Sequence, residues 1–184
     1  KIPTTAATLI TLGEEFQFET HLAYKGDIDD GVLNGDIVVY GNGDPTLSNR
    51  FYNEPTDIFN SWAEELKKLG INKINGNIIG DDNSFEDNHL GYGWSFNGLQ
   101  AWYSAEFGPL QLNENVIDIR IFPPTTADEL IEIKPNLPSK YFTIINEIEV
   151  VESGTSNISY ERKFGENIIR LSGRVAIGSS SIEV

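Results

Sequence analysis

The hydrophobic pattern of the first forty residues predicts a helix followed by a hairpin. Residues 1–13 are typical of a helix that closes at Gly13, because glycine is a common residue just past a helix C-terminus. Residues 16–24 alternate apolar and polar side chains, which is the period of a strand. A polar turn is expected over residues 25–31, and residues 32–40 predict the returning strand.

The following segment predicts a second helix, an interrupted strand and a long loop. Apolar side chains follow one helical face from about residue 57 to residue 69. Residues 71–79 predict a strand that is interrupted at Asn75 and Gly76. Residues 83–109 are rich in glycine, asparagine and aromatic residues and have no regular period. We expect an ordered loop there, of the kind that often carries function.

The character of the chain changes from residue 116 onward. Short apolar runs with strand periodicity alternate with turn residues, which is typical of an all-β module. The predicted strands cover residues 116–122, 130–134, 142–151, 156–162 and 168–175.

The balance of charges excludes several classes of partner. The 184 residues include 13 basic and 28 acidic side chains, and the net charge of −15 argues against nucleic acid or an anionic membrane surface. A solvated acidic surface explains this charge most simply, and a cationic or zwitterionic ligand stays open.

The absence of cysteine excludes disulfides, thiolate zinc sites and cysteine nucleophiles. No apolar run reaches the roughly 18 residues of a membrane-spanning helix.

Neither a metal nor a cofactor is predicted. Asp27, Asp29 and Asp30 are similar to the start of a calcium loop, but no glutamate follows at the twelfth position. His21 and His89 are too few and too far apart in sequence to indicate zinc. The glycine-rich turn after residue 40 lacks the rest of a dinucleotide-binding fingerprint.

Sequence motifs for a catalytic nucleophile are incomplete. The chain contains no G-x-S-x-G, no complete S-x-x-K and no K-T-G. Residues 95–97 match S-x-N, but a pattern with one free position carries little information by itself. The residues alone therefore describe a chain without a complete catalytic apparatus.

Several segments taken together are far more specific. In order and near the expected spacing, they resemble the penicillin-binding protein 4 type of D-alanyl-D-alanine carboxypeptidase/endopeptidase, a class C penicillin-binding protein of low molecular mass. The β-rich remainder is similar to that family in character more than in residues. The matching segments are residues 1–13, 16–20, 31–37, 43–47, 70–71, 74–77, 81–85, 93–96 and 112–115.

This resemblance implies that Lys1 is the lysine of the family's S-x-x-K motif and has a catalytic role. The nucleophilic serine would precede Lys1 by three residues, and the functional S-x-N and K-T-G motifs would lie downstream of this chain. Since the chain starts at Lys1 without methionine, we expect a fragment of a longer protein. The match of residues 95–97 to S-x-N is then a coincidence inside the insertion that separates the family's motifs.

The resemblance also implies the fold class and the domains. The expected fold is α+β: an accessory α/β-type domain precedes a small all-β domain, and the N-terminal helix belongs to a missing transpeptidase-like domain. Residues 1–20 would start the catalytic domain, residues 21–109 would form one accessory domain, and residues 110–184 would form part of a nested β-rich one.

Tyr103 is the implied substrate-binding residue. By resemblance it aligns with an aromatic residue of the pocket for the side chain of the peptide stem. Some family members place an acidic residue just after the tryptophan pair, where it can bind the free amine of diaminopimelate. Residues 96–98 contain no carboxylate here, so that salt bridge is not expected. Packing between domains is an equally good explanation of Trp102 and Tyr103.

The implied function is serine-type hydrolysis of D-Ala-D-Ala ends or cross-links in peptidoglycan, through an acyl-enzyme. The expected partners are peptidoglycan stem peptides and β-lactams, in the periplasm or cell envelope, and this chain alone is expected to be inactive. One alternative is a non-catalytic envelope module that has lost the serine. Another is a carbohydrate-binding domain that uses Trp94, Trp102 and Tyr103 as a stacking platform.

Overall fold

The computed structural model describes residues 1–184. The contacts between these residues divide the chain into two compact units. The first unit comprises Lys1–Thr46, Asn60–Asp87 and Gly108–Gln111. The second unit comprises Leu47–Phe59, Asn88–Phe107 and Leu112–Val184.

Helices and a four-stranded sheet make up the first unit, and helix α2 begins in residues assigned to the second. Predicted helices over residues 1–13 and 57–69 are both confirmed to within two residues at each end. The elements are α1 (Ile2–Leu12), β1 (His21–Asp29), β2 (Val32–Tyr40), α2 (Asp57–Lys68), β3 (Lys73–Asn75) and β4 (Ile78–Asp81).

The hairpin of β1 and β2 differs from the prediction in its first strand. The nine residues of β2 pair in register with the nine residues of β1, from His21 opposite Tyr40 to Asp29 opposite Val32. The turn is only Asp30 and Gly31, both with positive φ, as tight hairpin turns require. The predicted strand over residues 16–24 is therefore correct only for residues 21–24, and the turn predicted over residues 25–31 is confined to its last two residues. Pairing with β2 overrides the turn-like composition of the second half of β1.

Strand β2 is the centre of this sheet. It pairs antiparallel with β1 and parallel with both β3 and β4. The predicted interruption at Asn75 and Gly76 is confirmed, since it separates the two short parallel strands. At this point the Asp36 carboxylate accepts hydrogen bonds from the backbone N–H and the side-chain amide of Asn77, at 2.8 and 3.0 Å. Leu33 and Ile37 of β2 form the small core of the unit with Ile71, and Leu66 of α2 packs against them.

The second unit contains six strands in two sheets. One sheet has the order β10-β5-β6 and the other the order β7-β9-β8. The five predicted strands are confirmed with shifted ends, whereas β10 was not predicted. The strands are β5 (Ile119–Phe122), β6 (Glu132–Pro135), β7 (Thr143–Val151), β8 (Asn157–Arg162), β9 (Ile168–Ala176) and β10 (Ile182–Glu183).

One hydrophobic core joins the two sheets of the second unit. Ile121 of β5 and Leu171 and Val175 of β9 are completely buried within it. The mixed α and β composition of the predicted fold class is confirmed. Neither the length nor the apolar composition that a membrane-spanning helix needs is reached by any of the helices.

Candidate functional site

Lys1, the predicted catalytic lysine, lies at the N-terminal end of helix α1. Its side chain is exposed, and its carbonyl oxygen accepts hydrogen bonds from the backbone N–H and the hydroxyl of Thr5, at 2.9 and 3.1 Å. Pro3 occupies the first helical turn, where its missing N–H costs no hydrogen bond. No residue of helix α1 is buried, and its apolar side chains, such as Ile2 and Ile10, face solvent.

The second candidate feature is the segment of residues 88–107, called here the aromatic loop. Its two ends meet: the Phe107 N–H donates to the His89 carbonyl at 3.1 Å, and His89 Nδ1 lies 3.2 Å from the Phe107 carbonyl oxygen. Between these ends lie two short 3-10 helices, Phe96–Gly98 and Trp102–Ser104. The predicted ordered loop is thus confirmed, and it is closed at its base by two contacts.

Further contacts fasten the aromatic loop to the rest of the second unit. The Gln100 side-chain oxygen accepts a hydrogen bond from the Arg162 N–H at 2.9 Å. The rings of Phe96 and Phe164 lie 6.5 Å apart between centroids. Asn115 donates its side-chain amide to the Glu106 carbonyl at 2.9 Å, so the loop is held at its base and near its middle.

The turn that supplies Asn115 has an unusual backbone. Asn113, Glu114 and Asn115 all have left-handed φ values, at 52°, 56° and 55°. Asn113 is 4% exposed, accepts a hydrogen bond from the Asn49 N–H and donates one to the Val116 carbonyl. Non-glycine residues rarely adopt this conformation, and strained backbone of this kind persists where the surroundings over-determine it. The sequence signal for this left-handed turn is the short Asn-Glu-Asn run, because asparagine tolerates left-handed backbone better than most other residues. The turn was not among the predicted elements.

Tyr103, the predicted substrate-binding residue, is 66% exposed in the second 3-10 helix. Its ring meets that of Trp102 edge to face, with centroids 6.0 Å apart. Ser104 beside it is buried. Trp102 and Tyr103 therefore present a pair of aromatic rings to solvent within their unit.

Lys1 and Tyr103 belong to different units. The predicted catalytic and substrate-binding roles of these two residues stay predictions. No group of three or more His, Asp or Glu side chains is arranged to hold a metal ion. The acidic residues at the tip of the first hairpin, Asp27, Asp29 and Asp30, lie along β1 and in its tight turn.

Comparison with known proteins connects these features to one family. The sequence model of the D-Ala-D-Ala carboxypeptidase 3 (S13) family matches residues 1–184. The D-alanyl-D-alanine carboxypeptidase DacB of Haemophilus influenzae is 30% identical over 155 residues, which is 83% of this chain and 30% of that protein. A D-alanyl-D-alanine carboxypeptidase of Actinomadura sp. is 23% identical over 189 residues, covering 99% of this chain and 34% of the relative.

Solved structures agree with the sequence matches. The crystal structure of penicillin-binding protein 4 (dacB) from Haemophilus influenzae superposes with a TM-score of 0.72 at 26% identity, covering 98% of this chain and 39% of that one. A second structure of that protein, in complex with a β-lactam, shares the fold with a TM-score of 0.61. The chain spans about a third of the length of the relatives that it matches. The resemblance to the penicillin-binding protein 4 type is confirmed, and the chain belongs to the D-Ala-D-Ala carboxypeptidase 3 (S13) family.

Proposed function

We propose that this chain is part of an envelope serine hydrolase that cleaves D-Ala-D-Ala ends or cross-links of peptidoglycan stem peptides. The observation that carries the proposal is the family match, which extends over the whole chain from Lys1 to Val184. In the proposed reaction a serine is acylated, D-alanine or the partner stem leaves, and water hydrolyses the acyl-enzyme. Penicillin would occupy the same site as a substrate mimic. The proposed location is the periplasm or cell envelope, where this substrate lies.

In this proposal Lys1 is the proton acceptor for the serine. A serine three residues before Lys1 would lie about one helical turn away, on the same face of an extended helix α1. A lysine amine accepts a proton from a serine only in its neutral form, which burial and neighbouring positive charge favour. The helical geometry that this role needs is present directly after Lys1, at Ile2–Leu12.

The remaining residues would act as accessory structure. We propose that residues 1–20 belong to a transpeptidase-like catalytic domain and that the accessory structure begins at residue 21. Tyr103 would line the pocket for the side chain of the peptide stem, and its exposed ring supports this role. The chain alone would be inactive, because a covalent route needs the serine.

Labelling with fluorescent penicillin tests this proposal. The full-length gene product and this 184-residue chain are labelled side by side, and the adduct is mapped by mass spectrometry. We expect one label on a serine three residues before Lys1, in the full-length protein only. The matched control is Lys1→Ala in the full-length protein, which should fold but acylate at least about 100-fold more slowly if the lysine acts as a general base.

Two results would contradict the proposal. An acyl-enzyme on this isolated chain would show that the nucleophile lies inside it. A folded full-length protein that takes no label and releases no D-alanine would favour the alternative, a non-catalytic envelope module that kept the accessory structure.

A further inference from the structure

Tyr103 lies at the centre of a short segment that is held at both ends. Gln100, three residues before Tyr103, accepts a hydrogen bond at its side-chain oxygen from the Arg162 N–H at 2.9 Å. Glu106, three residues after Tyr103, accepts one at its carbonyl oxygen from the Asn115 side-chain amide, also at 2.9 Å. The two contacts therefore enclose the second 3-10 helix of the aromatic loop.

Both partners of this segment belong to fixed parts of the second unit. Arg162 is the last residue of β8, an edge strand of its sheet, and it pairs with Ile169 of the central strand β9. Ile169 is part of the hydrophobic core. Asn115 belongs to the left-handed turn, in which the buried Asn113 donates its N–H to the Leu47 carbonyl at 2.7 Å. The segment is thus attached at one end to a core-packed sheet and at the other to a buried turn.

Hydrogen bonds also order the backbone within the segment. The Ser104 N–H donates to the Ala101 carbonyl at 2.8 Å, and the Ala105 N–H donates to the Trp102 carbonyl at 3.3 Å. Ser104 is 7% exposed, whereas Tyr103 beside it is 66% exposed. The contacts therefore set the position from which the Tyr103 ring projects.

We propose that Gln100 and Asn115 are positioning residues for recognition of the peptide-stem side chain. This inference rests on the proposed function, in which Tyr103 lines the pocket for that side chain. Gln100 and Asn115 act on Tyr103 through the backbone on either side of it, without touching the substrate. A pocket wall that is ordered before the ligand arrives contributes more fully to binding, because no conformational entropy is lost in ordering it.

This role predicts a particular change in the kinetics. Tyr103 would meet the side chain of the stem, away from the bond that breaks, so its contribution is equal in the bound substrate and in the transition state. Loss of such a contribution raises KM and leaves kcat unchanged. A peptide without a side chain at that position does not use this wall, so its KM should not respond.

Hydrolysis by the full-length gene product, measured as released D-alanine, tests the inference with two matched peptides. One is Nα,Nε-diacetyl-L-lysyl-D-Ala-D-Ala, whose side chain is long and uncharged. The other is acetyl-glycyl-D-Ala-D-Ala, which has no side chain at that position. Both peptides are measured on the same preparation of each variant, so a partly unfolded sample lowers the rate for both and leaves the ratio of their KM values unaffected.

The variants separate the hydrogen bonds from the side chains that make them. Gln100→Met keeps the length of the side chain but loses the accepting oxygen, whereas Gln100→Glu keeps an accepting oxygen. Asn115→Gly keeps the left-handed backbone but loses the amide donor. Its matched control is Glu114→Gly in the same turn, at a φ of 56°, because the Glu114 side chain pairs with Arg50 and not with the aromatic loop.

Gln100→Met and Asn115→Gly should each raise KM for the lysyl peptide at least about threefold, the effect of losing one hydrogen bond. The KM for the glycyl peptide and both kcat values should stay within about twofold of those of the unchanged protein. Gln100→Glu and the control Glu114→Gly should retain the KM of the unchanged protein for both peptides. Circular dichroism checks the folding of each variant.

Three results would overturn the inference while leaving the proposed function in place. These are an unchanged KM for the lysyl peptide in Gln100→Met or Asn115→Gly, an equal rise of KM for both peptides, and equal effects of Asn115→Gly and Glu114→Gly. In each of them the unchanged protein still releases D-alanine. A folded full-length protein that hydrolyses neither peptide and takes no penicillin label would contradict the proposed function itself, and this inference with it.

Discussion

Replacing Asn113 with alanine tests how the left-handed turn supports the second unit. The Asn113 side chain accepts a hydrogen bond from the Asn49 N–H at 3.3 Å and donates one to the Val116 carbonyl at 2.8 Å. Its own backbone N–H donates to the Leu47 carbonyl at 2.7 Å. Asn113→Ala removes both side-chain bonds in a site that is only 4% exposed, and it places alanine at a φ of 52°.

The expected cost follows from these contacts. Two lost hydrogen bonds of about 1 kcal/mol each account for roughly 2 kcal/mol of the free energy of unfolding. Alanine in the left-handed region adds about 1 kcal/mol, which asparagine largely avoids. The total destabilisation of Asn113→Ala is therefore about 3 kcal/mol. Asn113→Gly loses the same side-chain bonds but tolerates the backbone angle, so it should be about 1 kcal/mol less destabilised than the alanine variant.

Urea denaturation, followed by circular dichroism, measures both variants against the unchanged chain. The slope of the free energy with urea must stay constant for the midpoints to report stability alone. A loss below about 0.5 kcal/mol in Asn113→Ala would refute the contribution of the two hydrogen bonds. Equal losses in the alanine and glycine variants would refute the argument from the left-handed backbone.

Two further predictions concern the first hairpin and a carboxylate of the second unit. Gly35→Ala should destabilise the protein by about 1–3 kcal/mol, because the added methyl group would overlap the Lys25 carbonyl oxygen of the paired strand. The control is Gly98→Ala, which should leave the stability in urea denaturation nearly unchanged, because the nearest atom to the added methyl group is 3.9 Å away. Equal effects of the two substitutions would contradict the steric argument. The pKa of Glu129 lies below its ordinary value because the Thr125 hydroxyl and N–H donate to its carboxylate, so this stabilisation is present above about pH 4.5 and is lost as the pH falls through the folded-state pKa. Thr125→Val should raise the pKa of Glu129 in an NMR titration, and an unchanged value would show that the hydroxyl contributes nothing.

The candidate site shows where prediction from sequence ends. The aromatic loop was predicted from its composition, and Tyr103 within it is exposed, while its binding role stays a prediction. The contacts that hold the loop were not predicted. Gln100 binds the N–H of Arg162, which lies 62 residues further along the chain, and Asn115 binds the Glu106 carbonyl from a left-handed turn. No local pattern identifies partners at such separations.

The sequence by itself determined the elements whose signals are local. Helix α2 with its one apolar face, the strand β2 and the closely spaced strands of the second unit follow from periodicity and turn residues. The segments that resemble the family, and their order along the chain, can also be identified from the sequence alone. These features depend on neighbouring residues only, so a linear pattern contains them.

Only the tertiary structure decided which residues pair and where strands end. Strand β1 runs through Lys25 and Asp27, which favour a turn locally, because all nine residues of β1 lie opposite residues of β2, Lys25 opposite Asp36 and Asp27 opposite Asn34. The tight turn at Asp30 and Gly31 then fixes the register of the hairpin. The parallel partners β3 and β4 and the left-handed turn at Asn113 are likewise set by distant contacts. The free energy gained by pairing with distant strands exceeds the free-energy differences behind the local secondary-structure preferences of these residues.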